Sequence, residues 1–229
     1  MSDRAPVRSY RTEFDHGETP ISEGGAWRNG KADGIDWSDV EISGGVAHGA
    51  PSRMDVEERR AEQGNLDGDE AAIGDYDDPT AVLAGEWGPD QHAKGVVFSR
   101  NPTSEYFQEV QLRLRSTIEP HSCTGYEIFW RCLRTEEAYA EIVRWNGPVG
   151  DFTSLARKTG ADFGVKHGDA VEATVEGDVI KGIVNGSEVI SATDDAFASG
   201  APGVGFNFGV GDTNVDHGFS SLEVDTFDA

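Results

Sequence analysis

The segment from Gly168 to Phe208, GDAVEATVEGDVIKGIVNGSEVISATDDAFASGAPGVGFNF, constrains the fold of this 229-residue chain more than any other part of it. Val171, Ala173 and Val175 alternate with Glu172, Thr174 and Glu176, the period-2 pattern of a strand with one buried and one wet face. Glu176-Gly177-Asp178 turns the chain into Val179–Val184, and Asn185-Gly186 turns it back. An Asn-Gly pair tolerates positive φ at both central positions of a two-residue hairpin loop, so it marks such a turn strongly. Two hairpins in succession predict an antiparallel meander.

The rest of the chain reads the same way. Val7 to Phe14 alternates and is expected to form an edge strand pairing near the last one, Gly218 to Phe227. After a Gly-rich connection containing Trp27, Ile35 to Val46 predicts a second strand. Further strands are expected at 81–83, 92–100, 106–118, 122–133, 138–145 and 152–157, roughly a dozen in all and suited to two sheets of five to seven. Between about His48 and Pro79 the pattern breaks into a long polar insertion, with one short helical candidate (Asp55 to Gln63) and an acidic run through Asp67, Asp69, Glu70, Asp75, Asp77 and Asp78. A loop of that length is functional, disordered or an interface with another chain. No internal repeat or linker divides the chain, and 1–229 reads as one domain of a size common for a β-sandwich.

Three features, the Gly168-Asp169 opening, the Val184-Asn185-Gly186 turn and the Phe197-x-Ser199-Gly200-x-Pro202-Gly203 bend into the strand at 204–208, resemble the concanavalin A-like lectin and glucanase superfamily. That resemblance implies an all-β fold, a two-sheet antiparallel jelly-roll sandwich of the laminin-G-like and carbohydrate-binding-module type, over roughly Val7 to Phe227. It also implies glycans as the ligand class.

Charge narrows the partners. The chain carries 42 acidic against 19 basic residues, net −23, and Lys31, Lys94, Lys158, Lys166 and Lys181 are its only lysines, a composition like the acidic, lysine-poor surfaces of halophilic proteins. A field of this sign repels nucleic-acid phosphates and anionic membranes. No apolar run reaches the length of a membrane span, and Met1 to Arg8 lacks the apolar core of a secretory leader. The stretch 100–158 is instead charge-balanced and rich in arginine. The two cysteines, Cys123 and Cys132, fall in or beside one strand and read as buried thiols acting as small apolar side chains.

Arginine and tryptophan supply the candidate site. In Glu109-Val-Gln-Leu-Arg-Leu-Arg115 the apolar residues face the core, which leaves Glu109, Gln111, Arg113 and Arg115 on the other face. Neighbouring strands offer Glu127, Trp130 and Arg131, then Arg144, Trp145 and Asn146; parity allows only one of Trp130 and Arg131 to face outward. An indole stacks on a pyranose ring while Arg, Glu and Asn satisfy its hydroxyls, and arginine grips a uronate or sulfate bidentately. The competing reading makes the Trp residues core and the Arg–Glu pairs cross-strand ladders.

Many members of the superfamily carry a structural Ca²⁺ where first and last strands meet, and the resemblance puts Asp15 with Asp225, or Asp216, at that place. The Asp67–Asp78 run lacks the spacing of an EF-hand loop, and the six His residues show no zinc-type spacing. The Glu-x-Asp-x-x-Glu strand of family 16 glycosidases is absent, and Gln111-Leu-Arg113-Leu-Arg115 lacks the central carboxylate of the alginate-lyase strand it resembles. A lyase would need Tyr126 or Tyr139 as base with Arg131 neutralising a uronate. The expectation is therefore a non-catalytic, lectin-like module acting on extracellular or host-surface glycans. Acidity, the missing leader and the insertion fit a decoration, turret or tail protein on the virion of a virus with a halophilic host, partnered by other virion subunits or by itself and released by lysis. The alternatives are a jelly-roll polysaccharide lyase or glycoside hydrolase, and a purely structural capsid or assembly protein.

Overall fold

The computed structural model describes residues 4–30, 37–50, 78–103, 108–148, 150–207 and 214–228. They form fifteen strands: β1 (Arg8–Thr12), β2 (Trp27–Asn29), β3 (Val40–Ser43), β4 (Val46–Gly49), β5 (Thr80–Leu83), β6 (Asp90–Ser99), β7 (Glu109–Glu119), β8 (Ser122–Arg131), β9 (Tyr139–Gly147), β10 (Phe152–Thr159), β11 (Ala170–Glu176), β12 (Val179–Val184), β13 (Ser187–Thr193), β14 (Ala201–Asn207) and β15 (His217–Phe227). There is no α-helix among the described residues, only two short 3₁₀ turns at Ala161–Phe163 and Asn214–Asp216.

Two antiparallel sheets face each other. One has the order β13-β12-β11-β6-β15-β4-β3, with β1 also on β15; the other has the order β10-β9-β8-β7-β14-β5-β2. The meander expected at 168–208 is present as β11-β12-β13, turned by Gly177 and by Asn185-Gly186, all at positive φ. The expected pairing of the chain's ends is present too, with Arg8 opposite Thr226 and Thr12 opposite Leu222.

Alternation places the core. Val110, Leu112 and Leu114 of β7, Tyr126, Ile128 and Trp130 of β8, and Val171, Ala173 and Val175 of β11 all enter one cluster between the sheets. Gly182 on β12 lets the sheets close there. A Cβ at that position would sit 2.7 Å from Ile190 Cγ2, 2.9 Å from Ile128 Cγ2 and 3.1 Å from the Trp130 ring, so it would press on the opposite sheet.

Three expectations change. The strand expected over Ile35 to Val46 is, where described, a hairpin of β3 and β4, because Gly44 and Gly45 both take positive φ and turn the chain. Trp27, expected in a connection, is buried in β2 and paired with Leu83. The insertion's first residues, His48 and Gly49, belong to β4, while the helical candidate 55–63 and acidic residues 67, 69, 70, 75 and 77 lie outside the described residues. Cys123 and Cys132 are both buried, at opposite ends of β8 and on opposite faces of its sheet; some 30 Å of strand separates them, far beyond disulfide reach.

Replacing Gly182 by Val should lower unfolding free energy by about 1–3 kcal/mol through overpacking. Urea denaturation monitored by tryptophan fluorescence checks this, and an unchanged midpoint would mean the sheets are not in contact at that point.

Candidate ligand-binding face

The outer face of the seven-stranded sheet is built from Glu109, Gln111 and Arg113 of β7, Glu127, Phe129 and Arg131 of β8, and Tyr139, Glu141, Val143 and Trp145 of β9. Strand register sets Arg113 opposite Glu127 and Glu109 opposite Arg131. The row exists as the alternation predicts, but it is not open to solvent: relative exposure is 0% for Arg113, 1% for Gln111, 1% for Glu127 and 0% for Trp145. Phe129, Tyr139, Val143 and Trp145 join Trp37, Val82, Ile118 and Cys123 in a second apolar cluster outside the main core.

Arg113 organises this layer. Its Nη2 donates to Asp78 Oδ2 and lies 2.6 Å from Glu127 Oε2. Its guanidinium carbon lies 5.3 Å from the Trp37 ring centre and 5.6 Å from that of Trp145, and those two indoles meet edge-on at 4.8 Å. Trp145 Nε1 donates to the same Glu127 oxygen at 2.7 Å. Burial, with Arg113 only partly offsetting it, pushes the Glu127 carboxyl up to about 8. Both donors converge on Oε2.

A second group sits further along the face. Tyr139 donates its hydroxyl to Glu109 Oε1, Asn207 Nδ2 donates to Glu109 Oε2 at 3.1 Å, and burial pushes that carboxyl up to about 7. Glu141 accepts from Ser154 at 2.6 Å and from Arg157, whose guanidinium also stacks 3.9 Å over Tyr139. The arginines concentrated in 100–158 thus find carboxylates within their own fold.

The other expected contact residues are dispersed. Trp130 points inward into the core, which leaves Arg131 outward, near Tyr139 and nearly buried. Arg115 leaves the row because β7 bulges between Leu114 and Thr117; at φ 49° it turns toward the opposite sheet, taking its backbone N–H to Gln91 Oε1 and its side chain to the carbonyls of Pro89 and Phe197. Arg144 is half-buried and paired with Asp194 at 2.7 Å, while Asn146 is exposed and donates to Asp151 at 2.9 Å. Of the ten residues named for this face, these two reach solvent.

The carboxylates expected around calcium do not converge. Asp15 is exposed beside His16, Asp216 pairs with Arg100 at 3.2 Å, and Asp225 holds Ser9 and Arg11. Asp216 and Asp225 flank nearly the whole of β15, about 30 Å of extended chain, so no single ion takes both. Among the described residues no group of three His, Cys, Asp or Glu side chains could hold a metal ion. Nor are the two tyrosines placed as bases. Tyr126 donates to Asp194 Oδ1 and burial pushes it up to about 12, while burial and the neighbouring Glu109 hold Tyr139 above its ordinary value. A phenol that resists ionisation is a poor proton acceptor at neutral pH.

No family model matches the sequence, and no curated protein matches it. Solved structures do. The chain is similar to the carbohydrate-binding module CBM66 from Bacillus subtilis, with 14% identity over 90% of this chain and 95% of that one and a TM-score of 0.51. It is similar to the exoplasmic/lumenal domain of VIP36 in its Ca²⁺/Man3GlcNAc-bound form, with 13% identity over 93% and 92% and a TM-score of 0.56. The fold is the concanavalin A-like jelly roll. A prokaryotic β-1,3-1,4-glucanase (lichenase) derived from a mouse hindgut metagenome shares it at 12% identity, over 96% of this chain and 99% of that one, with a TM-score of 0.50. In this jelly roll the outer face of the seven-stranded sheet is occupied by the protein's own charges.

Sequence reasoning missed the residues that close that face, Trp37 and Asp78. Asp78 stands beside a strand, where no alternation assigns a side, and Trp37, inside the strand expected over Ile35 to Val46, lies ahead of β3, which begins only at Val40.

Two substitutions separate a structural network from a ligand row. Arg113→Ala leaves buried acids without their counter-charge and should cost about 3–5 kcal/mol. Glu127→Gln preserves an oxygen for Arg113 and Trp145 and removes an acid whose ionisation opposes folding. With a folded pKa raised to about 8 from the ordinary 4.5 of a glutamate, wild type loses stability as pH rises through that window, so the Gln variant should gain relative to it from pH 5 to 8 and level off above. Thermal melts across pH check this; a constant difference would show that Glu127 ionises normally.

Proposed function

We propose that this jelly roll is a non-catalytic carbohydrate-binding module that recognises glycans presented outside the cell. The fold, shared with a carbohydrate-binding module and with a lumenal domain solved with an oligosaccharide, supports the ligand class. The observation that carries the non-catalytic half is the tying of Glu109, Glu127 and Glu141 to donors of their own chain. A retaining glycosidase needs two reachable carboxyl groups about 5 Å apart, one protonated and one ionised; here the acids of the candidate face are 1–4% exposed.

A second reading has one observation in its favour. Glu109 and Glu127 are raised to about 7 and about 8, the range of a general acid at neutral pH. Burial without access supports the first reading, since a group that no substrate reaches cannot protonate a glycosidic oxygen.

On a glycan array the protein should give saturable signals confined to a few structurally related glycans. The same glycans, incubated with the protein, should yield no new reducing ends and no absorbance near 235 nm from unsaturated uronates. A flat array response would remove the binding assignment, and release of reducing ends that disappears in Glu127→Gln would establish a hydrolase instead.

A further inference from the structure

At the other end of the seven-stranded sheet the jelly roll has a pocket of about 450 Å³, within the ~300–1,000 Å³ usual for small-ligand sites. It lies where the strand ends of β2, β5 and β7 meet the bend before β14. Arg28, Glu86, Trp87, Thr117 and Ser199 supply its chemistry over an apolar floor that includes Leu83. None of these five belongs to the buried network around Arg113, while Val82 and Ile118 in the floor are shared with the second apolar cluster.

The pocket is held in shape by bonds that leave its recognition groups available. Arg28 Nη2 donates to the carbonyl of Ile118 at 2.9 Å, fixing an otherwise exposed guanidinium. The turn bearing Glu86 and Trp87 is clamped by Arg8, which donates to the carbonyls of Glu86 at 2.5 Å and Ala84 at 3.0 Å and stacks 3.8 Å over the Trp87 ring. Trp87 Nε1 donates to the Ala84 carbonyl at 3.2 Å, and with Arg8 on one ring face and the core packed against the side chain, what the half-buried indole offers a ligand is its remaining apolar surface. A rigid apolar ring flanked by fixed polar groups lowers the ordering cost of binding.

We propose that this pocket is the glycan site and that its ligand is one or two neutral pyranose residues. The proposal rests on the carbohydrate-binding reading and deepens it. A pyranose presents an apolar C–H face and a rim of hydroxyls, each both donor and acceptor. Trp87 and the floor match the face; Arg28 as donor, Glu86 as acceptor, and the Thr117 and Ser199 hydroxyls match the rim. The charges of Arg28 and Glu86 cancel locally, and the chain as a whole carries −23, so an acidic sugar gains nothing here and is repelled at longer range.

Titration calorimetry with maltose, cellobiose, lactose and mannobiose, and with digalacturonate as acidic counterpart, tests this on the full chain. Wild type should bind at least one neutral disaccharide and bind digalacturonate more weakly. Thr117→Trp, which fills the pocket from an exposed strand position, and Arg28→Ala should each weaken that binding about tenfold or more with the melting transition kept, while Arg144→Ala on the far side of the sheet leaves it unchanged. Binding retained within twofold in Thr117→Trp, preference for digalacturonate, or no neutral disaccharide bound by a wild-type protein that is positive on the array would overturn the pocket and leave the carbohydrate-binding reading standing. A wild-type protein negative on both would overturn that reading as well.

Discussion

A guanidinium cannot shed its proton, so once Arg113 is taken out of water the residues around it must supply negative charge. Most of the seven-stranded sheet's outer face follows from that requirement. Asp78 supplies the charge, and Glu127 accepts from Arg113 through the oxygen that also takes the Trp145 indole N–H. Trp37 covers the guanidinium plane, and the glycine alternation of β14 makes room beneath it. A Cβ at Gly205 would lie 3.0 Å from Arg113 Nε, so the arginine lies across a strand stripped of side chains at that point. The desolvation of so many charges is costly, and the arrangement survives because the hydrogen bonds are shared among several partners.

This constraint decides what the face can do. An open row of Arg, Glu and Trp would suit a sugar, whereas the same residues paired with one another and capped by Trp37 act as a second, polar core. The jelly roll is thereby left with two layers of interior, one apolar between the sheets and one ionic outside the seven-stranded sheet. Recognition then falls to the sheet's end, where Trp87 and Arg28 are fixed in place yet retain solvent contact. Rigidity around Arg113 and availability around Arg28 are two outcomes of the same side-chain chemistry in different dielectric surroundings.

The sheets were legible in the sequence because alternation and Asn-Gly turns are local signals: β11 to β13, the β7 row and the pairing of the chain's ends all follow from them. What alternation cannot report is what covers an outward face. Glu109, Gln111 and Arg113 face away from the core as the pattern says, and their burial depends on Trp37 and Asp78, brought in by tertiary contact. Arg115 breaks parity through a bulge that no residue type announces. The pocket's residues, Arg28, Glu86, Trp87, Thr117 and Ser199, are scattered over 170 positions of sequence and share no motif, so only the fold assembles them. Trp87, in a Gly-Glu-Trp-Gly-Pro turn, was the one available signal, an aromatic residue where a loop should be polar.

The central claim is that the Arg113 layer is structural and that ligand is taken at the sheet's other end. Tryptophan indole N–H resonances report on both places in one spectrum, since Trp145 belongs to the buried layer and Trp87 to the pocket. A heteronuclear correlation spectrum recorded during titration with a neutral glycan that scores on the array should show the Trp87 indole signal moving in proportion to occupancy while that of Trp145 stays in place. Movement of the Trp145 signal with Trp87 unaffected would contradict the account and return recognition to the face of the sheet.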